Sequence, residues 1–398
     1  MQLLYISSFM FYTDKNKVFA LPSCADAFFE KYLEIFESVK VLGIPAKGYL
    51  NKESFIEMLC PKIEVEIIPE NNHPKDFRYD GFIRKVLQKE ISKVDAVLIK
   101  PASRKGMMAI NLCKEMNKPY MIEITGDIHN ALKQHPNVLK RMYAPILYNQ
   151  ILKSIKDCEF GLYVSENYLQ SQFPIKGKMC GCPDVVLPYH NDEVLNKRFT
   201  KIETRKSDEI INLCLIGFYQ GKMKGVDCAI RALAHLPEKY VLNILGNGTE
   251  ENRQKWYEYS ERFGIKKSRL LFHQSLAGSD KVCEWLDSMD CLVFPTRSEG
   301  FGRVVAEAQS RGLPCLATNI CTMPELIEKD YLFDLNNDDE LANKLLKLYS
   351  DKVEEKRVSR RNFEHSKRYE FNILRRRRNE FLEEFKKYSE SYCKGIKD

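Results

Sequence analysis

Residues 289–319 read MDCLVFPTRSEGFGRVVAEAQSRGLPCLATN, and this stretch decides the fold. The apolar run Cys291-Leu292-Val293-Phe294 stops at Pro295, and a polar loop with glycines follows, Thr296 to Gly302. A short helical pattern runs from about Arg303 to Arg311 until Gly312 and Pro314 stop it, and a second apolar run, Cys315-Leu316-Ala317, begins. This is strand, loop, helix, strand. Two carboxylates, Glu299 and Glu307, bracket the loop and the first helical turns. Gly300 and Gly302 let a ligand approach the backbone closely. The N–H groups at the helix start favour an anion, by ~0.3–1 kcal/mol at an exposed site. Two acceptor-only groups flanking a bed of amides suit hydroxyls around a phosphate, as in a nucleotide sugar. They equally suit a plain turn whose acids complement the helix dipole.

Working outward, the stretch INLCLIGFYQGKMKG, Ile211 to Gly225, is a strand running into a loop with Gly217, Gly221, Gly225, Lys222 and Lys224. It ends in neither Gly-Lys-Ser/Thr nor G-x-G-x-x-G, so it is not a Walker A or dinucleotide loop. Beside Glu299 and Glu307 it completes a diphosphate site of amides, a helix start and one or two point charges. Leu245-Gly246-Asn247-Gly248 ends another strand and lets a ring or ribose pack on backbone, though a simple turn explains it as well.

The second half alternates. Strands are expected at 210–216, 240–245, 269–273, 290–294, 314–318 and 331–333, and helices at 225–235, 250–262, 279–287, 303–311 and 338–349. The first half alternates too, with strands at Leu3–Ile6, Val39–Leu42, Val65–Ile68, Asp95–Ile99, Tyr120–Ile124, Phe160–Val164 and Val185–Pro188. Helices are expected at Ala27–Phe36, Asp80–Ser92 and Met107–Met116. The charged stretch 190–208, HNDEVLNKRFTKIETRKSD, reads as a linker. The layout implies two doubly wound α/β domains, with ligands at the carboxyl ends of their strands in the cleft between them.

At 398 residues, 44% apolar and 29% charged, the composition is that of a soluble two-domain protein. No apolar run approaches the ~18 residues of a membrane span, and the N-terminus reads as a strand rather than a signal peptide. The 13 cysteines sit mostly in apolar contexts and read as reduced core residues. Cys180-Gly181-Cys182 lacks a second pair at zinc spacing. The net charge is +7, and residues 351–398 supply +5 of it, with 15 Lys/Arg against 10 Asp/Glu. A long helical pattern at 354–392 contains Arg375-Arg376-Arg377-Arg378, which reads as a solvated face balanced by Glu380, Glu383 and Glu384, with anionic-membrane contact second.

Pro295-Thr296-Arg297-Ser298-Glu299-Gly300 through Glu307-Ala308, then Gly312-Leu313-Pro314, resembles the nucleotide-sugar signature of the retaining glycosyltransferases of family 4. Lys224-Gly225-Val226-Asp227, Gly246-Asn247-Gly248, Asp290 and Met323-Pro324-Glu325-Leu326 match the same family. The match covers roughly 205–350. The resemblance implies the GT-B fold: two facing Rossmann-like domains with an interdomain cleft, and a C-terminal crossing helix. The boundaries expected are 1–195 for the acceptor domain, 205–365 for the nucleotide-sugar domain, and 366–398 for a helix packing back on the first domain.

The resemblance also implies roles. Glu307 holds the ribose, and Glu299 lies by the donor sugar and its reacting face. Amides of Gly300, Phe301, Gly302, Arg303 and Val304 hold sugar hydroxyls and diphosphate oxygens, with Gly217 and Gly246 giving close approach. Lys224 neutralises the leaving diphosphate. Phe218 stands where the family usually has an arginine, and Lys222 is the candidate replacement. The base is expected near Phe272 to Ser275. In the first domain, Asp127 or His129 is expected to assist the acceptor hydroxyl or the charged transition state, and Tyr12, Lys15 and Lys17 are weaker acceptor-site candidates.

The expectation is a cytoplasmic, metal-independent enzyme moving a sugar from a UDP- or GDP-linked donor to a glycan or lipid-linked acceptor in polysaccharide biosynthesis. It is expected to need no cofactor and to bind no nucleic acid, with peripheral contact at the inner face of an anionic membrane as the second reading of the arginine run. Metal independence is expected because no Asp-x-Asp ends an apolar strand, while Asp338-Asp339 looks like a helix cap. The alternatives are a GT-B sugar-nucleotide epimerase and a non-catalytic basic scaffold binding nucleic acid or membrane.

Overall fold

The structure is a computed structural model that describes residues 1–48, 52–187, 190–276 and 278–395. The chain forms two compact units. The first comprises Met1–His129, Met142–Cys182 and the segment from Arg375 onward, and the second comprises Asn130–Arg141 and Pro183–Leu374.

The strands of the first unit are β1 (Gln2–Asp14), β2 (Lys17–Ala20), β3 (Ser38–Pro45), β4 (Ile56–Glu57), β5 (Ile63–Ile67), β6 (Ala96–Ile99), β7 (Tyr120–Ile124), β8 (Phe160–Tyr163) and β9 (Lys178–Gly181). Seven pair in parallel in the order β5-β3-β1-β6-β7-β8-β9. All four residues of β6 and of β8 are buried, as expected when helices cover both faces of a parallel sheet.

The first strand is longer than its apolar core foretells. After a register shift between Ile6 and Met10 it continues to Asp14, and Phe11–Asp14 pair antiparallel with β2. Lys15 and Asn16 make the turn at φ 46° and 65°. Two successive left-handed residues match the twist of a tight hairpin. Tyr12 and Lys17 therefore belong to this hairpin rather than to a loop after the strand.

The strands of the second unit are β10 (Ile211–Ile216), β11 (Tyr240–Leu245), β12 (Leu270–His273), β13 (Cys291–Phe294), β14 (Cys315–Thr318) and β15 (Leu332–Phe333). They lie in the order β12-β11-β10-β13-β14-β15, all parallel. The sheet grows outward from β10, reverses, and grows the other way from β13. Such a reversal leaves a crevice at the carboxyl ends of the two central strands. In the first unit the reversal falls between β1 and β6.

Several expectations are corrected. The stretch read as a linker is mostly a helix, Asp192–Thr204, whose Leu195, Arg198 and Ile202 are buried. Arg198 donates to the carbonyls of Leu286 and Met289, which close the helix Ser279–Ser288. Its charge sits at the carbonyl end of that helix, where the backbone dipole favours a cation. The long terminal pattern is two helices, Lys352–Ser366 and Phe371–Gly395. Near Val185, Leu187 makes an isolated bridge to Glu370 in place of a strand, and Pro188 lies outside the described residues. The cap before Asp338–Tyr349 is Asn337, which accepts from the amide of Glu340.

The helix Phe371–Gly395 completes the first unit. Phe381 and Phe385 pack on Phe160 with ring centroids 5.6 and 5.5 Å apart. Its arginine run is largely tied to the first unit. Arg375 pairs with Glu34 at 2.9 Å, Arg377 pairs with Glu166 at 3.2 Å, and Arg378 is buried. Arg376 alone of the four stays exposed without an ion pair among the described residues.

Candidate functional site

In the second unit the loops after β10 and β13 meet at the reversal of strand order. Lys224 Nζ donates to Glu299 Oε2 at 2.7 Å, with both side chains partly exposed. Lys224 also lies 5.3 Å from the centre of the Phe294 ring. Glycines make the approach close. A Cβ on Gly225, which sits at φ 72°, would fall 1.9 Å from the carbonyl oxygen of Pro295. A Cβ on Gly217 would meet the Lys224 side chain at 2.9 Å, and one on Gly246 would meet the Gly217 carbonyl at 2.0 Å. Backbone is therefore packed on backbone across the ends of β10, β11 and β13.

Arg297 locks the two loops together. It makes a two-pronged ion pair with the buried Asp227, both contacts at 2.9 Å, and donates to Asn336 Oδ1 at 2.6 Å and to the Lys222 carbonyl. Its amide donates to the Met223 carbonyl at 2.9 Å. A planar guanidinium meeting a carboxylate in this way fixes geometry as well as charge. The sequence marked Asp227 by its motif but gave Arg297 no role, because a single loop arginine carries no pairing information.

The helix Arg303–Ser310 starts at Gly302, which has φ 97°. Its first amides lack intrahelical partners and point back at the loop. Phe301 is buried against Tyr369, and its carbonyl accepts from Thr322 at 2.9 Å. Gly300 donates its amide to Glu299 Oε1 at 3.2 Å. Arg303 is exposed and Val304 half-buried. Burial pushes the Glu307 carboxyl above the usual range, and Arg303 draws it partly back. Phe218 is 64% exposed. Lys222 is exposed and stands 4.0 Å from Asp227 Oδ2, so its link is to the loop lock. Aromatic packing that the sequence did not signal supports the wall behind Gly217: Tyr219 packs on Phe272, and Trp256 donates to the Tyr219 carbonyl at 2.6 Å.

In the first unit Asp127 is buried and accepts from the hydroxyl of Tyr168 at 2.6 Å. His129 stacks on Tyr148 with centroids 4.4 Å apart. Burial, and then the Asp127 charge, raise the Tyr148 hydroxyl pKa. Tyr12 stacks on Phe19 at 4.8 Å, and Lys17 pairs with Glu57 at 2.9 Å. The hairpin therefore uses these two among its own residues and does not bring them to Asp127. At the β1–β6 reversal lies a cavity of about 140 Å³ lined by Ser8, Lys100, Glu123, Thr125 and Gly126 among others. Glu123 is buried and accepts from Tyr5 and from Tyr32, with Lys100 at 3.6 Å. Sequence reading took Glu123 as a strand residue only, since Tyr5 and Tyr32 are far from it along the chain.

Among the described residues the one grouping with metal-ligand geometry is His235, Asp338 and Asp339, where Arg231 already donates to Asp338 at 2.8 Å. None of the three belongs to the Lys224–Glu299 loops.

Two doubly wound parallel sheets with a charged, glycine-built crevice in the second define a GT-B protein, and residues 211–351 match the glycosyl transferases group 1 family. That region of the chain is a glycosyltransferase domain by this match, and it is similar to the glycosyltransferases named below. It is 26% identical to protein CapJ of Staphylococcus aureus over 340 residues, covering 84% of this chain and 82% of CapJ. It is 34% identical to an Escherichia coli UDP-Gal:alpha-D-GlcNAc-diphosphoundecaprenol alpha-1,3-galactosyltransferase over 116 residues, 28% of this chain and 29% of that enzyme. The crystal structure of Anabaena HepE in complex with UDP shares the fold, with a TM-score of 0.67 and 14% identity, covering 96% of this chain and 99% of that one.

Proposed function

We propose that the chain is a retaining, metal-independent transferase. It would move a sugar from a nucleoside diphosphate sugar to a glycan or lipid-linked acceptor during surface polysaccharide assembly. The observation that carries this reading is the Lys224–Glu299 pair at 2.7 Å beside the start of the helix Arg303–Ser310. Cleaving a glycosyl phosphate leaves a diphosphate whose new negative charge must be met at once. Lys224 and the amides from Gly300 to Val304 supply positive charge there, which is the basis for proposing that no divalent ion is required. On donor binding Lys224 exchanges Glu299 for diphosphate oxygens. Glu299 is then released to accept from a hydroxyl of the sugar being transferred. Glu307 accepts from the ribose, and the base lies near Phe272 to Ser275.

In the first unit Asp127 or His129 serves the acceptor hydroxyl or the positive charge that builds on the sugar ring. Tyr168 donates to Asp127 Oδ2 at 2.6 Å and so orients the carboxylate. Most of the cysteines are buried in the core, which fits a reducing, cytoplasmic setting. The galactosyltransferase relative acts on a diphosphoundecaprenol-linked sugar, and this supports a lipid-linked acceptor.

The test is a panel of UDP- and GDP-sugars scored by release of the nucleoside diphosphate. One donor should be hydrolysed at a rate that EDTA leaves unchanged, and NMR of the product should report the donor's own anomeric configuration. An inverted product, or a strict Mg²⁺ or Mn²⁺ requirement, would overturn the mechanism.

A further inference from the structure

From Gly217 to Gly225 and from Pro295 to Arg303, just after β10 and β13, the chain holds four cations: Lys222, Lys224, Arg297 and Arg303. Three of them face carboxylates. Lys224 pairs with Glu299 at 2.7 Å, Arg297 pairs with Asp227 at 2.9 Å, and Lys222 stands 4.0 Å from Asp227. Arg303 is exposed, and its side chain makes no hydrogen bond and no ion pair among the described residues. Its charge acts on Glu307, one helical turn further on, without a direct bond.

The place of Arg303 runs against the electrostatics of its own helix. A helix start carries partial positive charge and favours acids. Asp192–Thr204, Val226–Ala234 and Ser279–Ser288 each have an acid in the first turn. Arg303–Ser310 has none, and Gly302 offers its amides no side-chain cap. Side chains on a helix lean toward its N-terminus, so Arg303, at the first helical position, leans over the same loop as the open amides. Because β10 and β13 are paired, the end of β10 lies alongside. There Phe218 presents an apolar ring, 64% exposed, at the position where the family resemblance implies an arginine. One strand end lacks a cation, and the next carries a cation without a partner.

We propose that the guanidinium of Arg303 clasps the diphosphate of the donor, as a second cation beside Lys224, in place of the arginine that position 218 lacks. This rests on the donor site proposed above and goes beyond it, since that site used only the Arg303 amide. A planar guanidinium offers parallel N–H donors to two oxygens of a phosphate group, whereas an ammonium acts as a point charge. Arg303 therefore adds orientation as well as charge. Arg297 is committed elsewhere, to Asp227, Asn336 and the Lys222 carbonyl. An anion held between Arg303 and the open amides also removes the conflict with the helix dipole, so binding relieves a cost that the free protein carries.

The experiment titrates the full chain with UDP and GDP by calorimetry, and with uridine and guanosine by saturation-transfer NMR. Arg303→Met keeps the length and loses the charge. It should weaken binding of the preferred diphosphate about tenfold or more and leave nucleoside binding unchanged. Without ligand it should unfold at or above the temperature of the parent. Arg303→Lys should keep part of the affinity, and Phe218→Arg/Arg303→Met should recover most of the loss. If Arg303→Met binds the diphosphate like the parent, the inference falls while the donor site stands. Equal losses for diphosphate and nucleoside overturn it as well, and a double variant no better than Arg303→Met overturns the exchange with position 218. A parent that binds neither diphosphate refutes the donor site itself, and the inference with it.

Discussion

The loops around Lys224 and Glu299 and the end of β7 around Asp127 are both strand ends in doubly wound sheets, yet they hold charge in opposite ways. In the second unit a cation and an anion neutralise each other at a half-exposed surface, over glycines that bring backbone close. In the first unit a buried carboxylate accepts from a phenol, with a histidine stacked on a second tyrosine nearby. A partly exposed ion pair is less costly to break than a fully buried one. An incoming diphosphate can take over the lysine with little loss. A carboxylate oriented by a neutral donor faces one way and can accept from an acceptor hydroxyl or face a positively charged ring. The first arrangement suits exchange of partners, and the second suits a fixed local field.

The comparison breaks first at Glu299. Glu299→Ala should cut transfer by about a thousandfold or more, with the fold intact by circular dichroism. Turnover within a few-fold of the parent would refute its place at the donor sugar. Asp127→Asn keeps the size and loses the charge, so it should lower transfer by roughly a hundredfold. Its donor affinity should stay near that of the parent, and a large rise in donor KM would erase the distinction between the two regions. Arg297→Ala leaves Asp227 buried without its main partner. It should cost about 3 kcal/mol of stability and raise donor KM, read from urea unfolding and steady-state kinetics.

Glu307→Gln should have the smallest effect on activity, weakening donor binding about tenfold. Burial raises the Glu307 carboxyl, so the folded state takes up its proton at a higher pH than the unfolded chain does. Two consequences follow from the sign. Donor affinity in the parent should fall on acidification sooner than for an ordinary carboxylate, and the Gln variant should not show that fall. The charged form opposes folding above the raised pKa, so without donor Glu307→Gln should unfold at a higher temperature near neutral pH and lose that advantage in acid.

The second unit was legible because its strands are buried on both faces and short. Apolar runs bounded by glycine and proline placed all six within a residue or so. The residue types of the donor loops carried their own chemistry, so Glu299, Lys224 and Glu307 could be singled out. What links those loops could not be read. Arg297 and Asp227 are 70 residues apart, and only the fold reveals their pairing. In the first unit the same limit hid Glu123 among Tyr5 and Tyr32. Charge also misled. Asp192–Thr204 looks like solvent-exposed linker, yet Arg198 is spent on buried carbonyls. The helix Val138–Ile155 failed for the reverse reason, since apolar residues on both its faces erase the periodicity that marks an ordinary surface helix.

The helix Phe371–Gly395 has a temporal meaning. Arg375 bonds to Glu34 across a separation of 341 residues, and Phe381 and Phe385 cover Phe160. During synthesis the first unit must wait for the ribosome to finish nearly the whole second unit before its apolar surface can close, roughly tens of seconds at cellular rates. For that interval the second unit can be a finished domain while the first is still open along one side. The part of the chain made first is thus the last to be complete.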